Sequence, residues 1–200
     1  MRLLLITLLF LFTCSSIFAQ TSNTAINLTS LRQEAEKGSA EAQDKLGYLY
    51  LTDPANFLHH GEAIKWFQKA ANQGYAKSQY RLGRSYEMGI GVSKDYKEAV
   101  KWYQKAAEQG IPKAQESLGE MYYFGKGVNQ DYKEAAKWFQ KAAEQGDPTA
   151  QNNLASMFED GQGVPQDYNE AIKWFQKAAD QGFKQAKQAL AELKAKQAKH

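Results

Sequence analysis

The sequence predicts an all-α protein, a solenoid in which helix-turn-helix units stack into a right-handed α/α superhelix. Three observations carry that prediction. Trp66, Trp102, Trp138 and Trp174 stand at equal steps of 36 residues. The pairs Ala70-Ala71, Ala106-Ala107, Ala142-Ala143 and Ala178-Ala179 keep the same step, as do Gly38, Gly74, Gly110, Gly146 and Gly182. Between these marks, apolar residues recur at helical spacing. A fixed period of this length marks a solenoid, whose units bury their apolar faces only against their neighbours.

The chain starts with a segment that reads as a leader. Met1-Arg2 gives a short positive start, and Leu3 to Phe12 is an apolar run too short to span a bilayer. Ser15-Ser16-Ile17-Phe18-Ala19 offers a cut after Ala19, so residues 1–19 are expected to be a secretory signal peptide. The single cysteine, Cys14, lies inside it, so the mature chain uses no disulfide. An alternative stays open: Leu11-Phe12-Thr13-Cys14 has the outline of a bacterial lipobox, which would leave a lipoprotein anchored through Cys14. Cleavage removes Arg2 and no acid, taking the formal charge from +3 to +2 (3 − 1). Residues 20–29 are expected to be flexible.

The repeat domain is expected over 30–199, with four units at 39–74, 75–110, 111–146 and 147–182. The third unit shows the reading. Pro112 suits the first helical position, where its missing N–H costs nothing. Ala114, Leu118, Met121 and Tyr122 form the apolar stripe of helix A. Gly125-Lys126-Gly127-Val128 breaks that helix. Asp131, followed by Glu134, resembles a capping box and opens helix B; the pair recurs as Asp95/Glu98 and Asp167/Glu170. Ala135, Trp138, Phe139 and Ala142 form the second stripe, and Gly146 ends the helix in the left-handed conformation. This places helices at 39–51/61–73, 75–88/95–109, 111–124/131–145 and 147–160/167–181. Residues 30–37, opening on Ser30-x-x-Gln33, match the second half of a helix B. Residues 183–199 match helix A alone and are rich in Lys and Gln, as a solvent-facing cap requires.

These residues resemble the Sel1-like repeat family, a relative of tetratricopeptide repeats. The pattern is A-x-x-x-L-G-x-x-Y-x-x-G-x-G-V-x-x-D-Y-x-x-A-x-x-W-[FY]-x-K-A-A-x-Q-G. Residues 78–110, 114–146 and 150–182 carry it almost in full, with Ser78, Ala155 and Phe158 as the substitutions. Residues 42–74 keep Leu46-Gly47, Tyr50, Ala63, Trp66 and Ala70-Ala71. Their loop, Thr52 to His60, lacks the glycines, the valine and the Asp-Tyr, which marks an altered terminal unit.

Composition and motifs narrow the function. With 25 basic and 22 acidic side chains alternating along helices, no basic surface announces a nucleic-acid partner. His59 and His60 sit side by side without a carboxylate cluster, a poor metal site. Gly89-Ile90-Gly91, Gly125-Lys126-Gly127 and Gly161-Gln162-Gly163 lack the strand, third glycine and Lys-Ser/Thr that a phosphate loop needs. The repeated carboxylates are helix caps, and no Ser/His/Asp set can be assembled. No enzyme, cofactor or metal is expected.

Comparing the copies with one another separates scaffold from surface. Constant positions hold the fold; variable ones are free for a partner. On helix A the variable positions fall at offsets 0, 3, 7, 10 and 11 from Glu41, Lys77, Lys113 and Thr149, one helical face. The resemblance implies that A helices line the concave side, the usual ligand surface. The expected partner-binding residues are Tyr48, Lys77, Tyr80, Arg84, Met88, Glu116, Glu120, Tyr123 and Phe124, with Tyr48, Tyr80, Arg84 and Tyr123 as a solvent-facing group. Tyr and Arg are enriched among binding hot spots. The resemblance implies a monomeric protein–protein interaction scaffold or adaptor, periplasmic or secreted. The alternative it leaves open is an immunity or inhibitor protein against a secreted toxin or envelope enzyme.

Overall fold

The computed structural model describes residues 28–52 and 59–197. The expected leader with Cys14, most of the segment 20–29, and the altered loop at 53–58 lie outside the described residues. Helix α1 covers 28–36. It is followed by α2 (Ala40–Thr52), α3 (His60–Asn72), α4 (Ala76–Met88), α5 (Tyr96–Glu108), α6 (Pro112–Phe124), α7 (Tyr132–Glu144), α8 (Pro148–Asp160), α9 (Tyr168–Asp180) and α10 (Lys184–Gln197). All regular structure among the described residues is helical. The even-numbered helices from α2 are the A helices and the odd-numbered ones from α3 the B helices. The A helices α4, α6 and α8 each pack on the B helix of their own unit and on the B helix before it, while α2 packs on α3 and α10 on α9, the arrangement of a right-handed α/α superhelix. No helix among the described residues is long and apolar enough to cross a membrane.

Two expectations need correction. Ser30 lies inside α1 and does not cap it, because the helix already includes residues 28 and 29. The capping box forms only by half. Asp131 Oδ1 accepts the N–H groups of Lys133 and Glu134 at 2.9 and 3.0 Å, and Asp95 and Asp167 do the same. The reciprocal bond from the glutamate has no donor to meet, since Asp131 N–H is given to Tyr122 O at 3.0 Å. Glu134 turns outward and pairs with Lys137 at 2.8 Å.

The loops explain their glycines. Gly125 ends α6 in the left-handed region at φ 66°. Gly127, at φ 73°, presses on the first turn of the preceding B helix, where an added Cβ would overlap the Tyr96 carbonyl. Only glycine supplies both the sign of φ and the missing Cβ.

Small and large residues alternate so that helices approach closely. A Cβ on Gly119 would come 2.7 Å from the Phe139 ring, and Gly47 and Gly83 face Phe67 and Tyr103 in the same way. The tryptophans seal the next level. Trp138 belongs to one cluster with Val100 and Tyr103 of the preceding B helix and Leu118 and Met121 of its own unit. It is 8% exposed, and Lys141 Nζ lies 4.0 Å from the ring centroid, covering the outer edge. Trp66, Trp102 and Trp174 are capped likewise by Lys69, Lys105 and Lys177.

A glutamine ladder joins the units. Buried Gln115 donates to Ala107 O at 3.0 Å, at the C-terminal end of α5, and accepts from Gln145 at 2.7 Å. Gln43/Gln73, Gln79/Gln109 and Gln151/Gln181 repeat the arrangement. Each of these helix-end carbonyls already accepts a backbone N–H, as Ala107 O does from Gly110 at 3.0 Å, so the glutamine supplies a second donor and ties one unit to the next.

Candidate partner-binding face on the A helices

The variable face of the A helices divides by depth. At offset 11, Thr52, Met88, Phe124 and Asp160 are all exposed, with Met88 at 54% and Phe124 at 57%. At offset 7, Tyr48 and Arg84 are exposed, while Glu120 and Ser156 are half-buried. Lys77 and Lys113, at offset 0, are exposed. Offset 3 is different. Asp44 and Glu116 are buried, and Tyr80 and Asn152 half-buried. A side chain there points between consecutive A helices, because neighbouring units close over it.

This corrects the expectation of four solvent-facing large side chains. Tyr48 and Arg84 fit it. Tyr80 is half-buried and packs on Tyr103 with ring centroids 5.9 Å apart. Tyr123 is half-buried too, donating its hydroxyl to Gln162 Oε1 at 2.7 Å across to the next unit.

The expected residues gather into three sets. At the junction of the first two units, Arg81 stacks its guanidinium 4.5 Å from the Tyr48 ring and bonds Asp44 Oδ1 at 3.1 Å. Ser78 donates to the same oxygen at 2.7 Å, so the buried Asp44 carboxylate is well supplied. In the middle, Arg84 reaches Met88 Sδ at 3.4 Å, and both remain exposed.

The third set is acidic and aromatic. Glu116 and Glu120 lie one turn apart on α6, with Glu87 facing Glu120 from α4. Burial, and then the neighbouring Glu120, push the Glu116 carboxyl up to about 7. Burial and Glu87 raise Glu120 as well. Glu87 is held by the Tyr103 hydroxyl, which donates to it at 2.5 Å. Lys113, whose charge opposes the Glu116 shift, is engaged by the Asp147 carboxylate at 2.8 Å. Next to this set a cavity of about 230 Å³ opens between α6 and α8. Glu120, Tyr123, Phe124, Asn153 and Ser156 line it, over Phe139 of α7. The Tyr123 and Phe124 rings meet edge to face at 4.9 Å.

Sequence reasoning missed Arg81 and Asn153. Both occupy offset 4, where the copies read Lys45, Arg81, Ser117 and Asn153. That position varies as freely as those counted, so the same internal comparison contained the signal. Asp147 was also missed. It caps α8, accepting from Thr149 and Ala150 N–H groups at 3.0 Å, and replaces Ile111 and Tyr75 of the other units.

The geometry is that of a repeated scaffold with one variable face, and comparison with known proteins places it. The Sel1 repeat family matches at residues 40–75, 76–111, 112–147 and 148–183, one residue later than the units that end on Gly74, Gly110, Gly146 and Gly182. No curated protein matches the chain. Among solved structures, it is similar to a protective antigen of uropathogenic Escherichia coli displaying an SLR fold. Identity there is 46% and the TM-score 0.75, over 78% of this chain and 33% of that one. A Sel1 repeat protein from Oxalobacter formigenes shares 38% identity at a TM-score of 0.76, over 83% of this chain and 48% of that one. Helicobacter pylori cysteine rich protein B shares 26% at 0.52, over 64% and 92%. The chain thus spans about a third and about half of the length of the first two. With four consecutive matches filling most of its length, the chain belongs to the Sel1 repeat family.

Proposed function

We propose that this protein is a non-catalytic interaction scaffold that holds a protein or peptide segment against its A-helix face, outside the cytoplasm. Repeats of this family build protein–protein interaction scaffolds. The observation that carries the reading is the exposure of Tyr48, Arg84, Met88 and Phe124 on that face. Large apolar and aromatic side chains left in water mark contact surfaces. The opposite face presents lysines over buried tryptophans and Glu–Lys pairs such as Glu98–Lys101, which suits solvent. The positive start and apolar run at the N-terminus support export, with cleavage near Ala19, and the scaffold acts as a monomer.

The test begins with capture of a partner from an envelope fraction by the chain starting at Gln20, followed by affinity measurement with the purified pair. Arg84→Glu with Met88→Ser is expected to weaken binding at least about tenfold, the loss of one hot-spot contact. Lys101→Ala with Lys105→Ala, on the B-helix side, is expected to leave it unchanged. The reverse pattern would move the binding surface to the B helices.

A further inference from the structure

The cavity between α6 and α8 has a chemistry of its own. Its volume of about 230 Å³ falls below the roughly 300–1,000 Å³ of small-molecule sites. It suits a single long side chain. Its walls are the Tyr123 and Phe124 rings, its base is Phe139, and Glu120 places one carboxylate among them. Asn153 and Ser156 add polar oxygens on the α8 side.

The charge around it is negative and poorly balanced. Glu116 and Glu87 stand behind Glu120, and Asp160 lies near Tyr123. Of the nearby cations, Lys113 is spent on Asp147. Lys126 places its Nζ 5.1 Å from the Phe124 ring centroid, and with Lys113 it offsets part of the Glu120 shift, but neither lysine lines the cavity. Burial first, and then the facing carboxylates, make buried Glu116 and half-buried Glu120 hold their protons more tightly than a solvated carboxyl would.

We infer that this cavity is a receptor for one arginine side chain of the partner segment, its guanidinium laid against the edge-to-face pair of Tyr123 and Phe124 rings and paired with Glu120. A guanidinium stacks on aromatic faces, meets a carboxylate with two parallel N–H donors and is weakly hydrated, so it enters a half-buried aromatic site at lower cost than an ammonium. The inference rests on the scaffold reading and adds to it which residue the partner must carry. It makes an arginine-bearing peptide, docked across the third and fourth units, the recognised chemistry.

The probe is Nα-acetyl-arginine methylamide, titrated into the labelled protein and followed by NMR at the Asn153 side-chain amide and the Ser156 and Tyr123 backbone amides. Saturable shifts at these three sites are expected. The citrulline analogue, equal in shape but uncharged, is expected to bind at least about tenfold more weakly, since it lacks the ion pair and the cation–π contact. Glu120→Gln is expected to abolish the response to arginine, while Glu98→Gln, on the B-helix side, leaves it intact. Equal shifts with citrulline in the wild-type protein would overturn the inference, and this arm does not depend on how any variant folds. Shifts unchanged by Glu120→Gln in a variant with a native spectrum would overturn it too. Arginine binding at this cavity, combined with partner capture that ignores Arg84 and Met88, would leave the receptor standing and sink the scaffold reading instead.

Discussion

Gln145 donates its side-chain amide to Gln115 Oε1 at 2.7 Å, bridging the end of one unit to the first helix of that same unit. Gln115 in turn holds the Ala107 carbonyl of the preceding unit. The two glutamines connect three helix ends in a chain with no central core. Gln115→Ala removes two side-chain hydrogen bonds, while the Ala107 carbonyl keeps the Gly110 N–H, and at about 0.5–1.5 kcal/mol per bond is expected to cost about 1–3 kcal/mol. Gln145→Ala should cost less, and the double variant should cost less than the sum, because both act on one bond. Urea unfolding of the four proteins measures the coupling; strict additivity would show that the bond contributes nothing.

Trp138 joins two units through Tyr103, Leu118 and Met121. Trp138→Ala is expected to lower stability by about 3–5 kcal/mol, as for large aromatic truncation in a core. Trp66 sits in a smaller cluster with Ala35, Ala42 and Leu46, so Trp66→Ala should cost less. Thermal unfolding ranks the two, and an unchanged melting temperature for Trp138→Ala would contradict its place in the core.

Gly127→Ala tests the loop. Left-handed backbone costs a non-glycine residue about 1–3 kcal/mol, and the new methyl group meets the Tyr96 carbonyl. Gly110, also at positive φ, has open space around it, so Gly110→Ala carries the backbone cost alone. Calorimetry is expected to find Gly127→Ala the more destabilised of the two. Equal melting temperatures would show that the loop does not press on the preceding unit.

Glu116 links stability to pH. Its carboxyl stands at about 7 in the fold against an ordinary 4.5. The folded state therefore binds the proton more tightly, and stability is highest below the unfolded value and falls as pH rises through the folded one. Glu116→Gln removes that loss. Its advantage over wild type should be small at about pH 4 and grow toward roughly 3 kcal/mol at about pH 8, because each tenfold change in proton affinity is worth about 1.4 kcal/mol. Urea midpoints at the two pH values decide it; an advantage independent of pH would remove Glu116 as the group responsible.

The fold was legible because each unit repeats its own instructions. Trp138, Ala142 and Gly146 occupy positions whose packing leaves one solution, and four copies of them in register specify stacking. The helices α2 to α9 fall within one or two residues of their expected bounds for that reason. The glutamine ladder was less legible. A glutamine at a constant position looks like any solvated helix residue, and only the preceding unit and the end of its own B helix give Gln115 its partners. The face was half legible. Variation among copies located it, but depth depends on how neighbouring A helices close over a position. Asp44 and Glu116 are buried there, while Tyr48 and Phe124 are not. Arg81 was missed because its position lies at the edge of the counted face, although it is the residue that reaches Tyr48.

Whether the partner lies against the A helices can be read by site-specific photocrosslinking, with a benzophenone amino acid placed in turn at Arg84, Phe124, Lys101 and Lys137 in cells that make the protein. Arg84 and Phe124 lie on the A-helix face, and Lys101 and Lys137 are exposed on B helices. Adducts to one common partner from positions 84 and 124, with none from 101 or 137, are the expected result. Adducts to that partner from 101 and 137 alone would contradict the A-helix assignment and place the functional surface on the B helices.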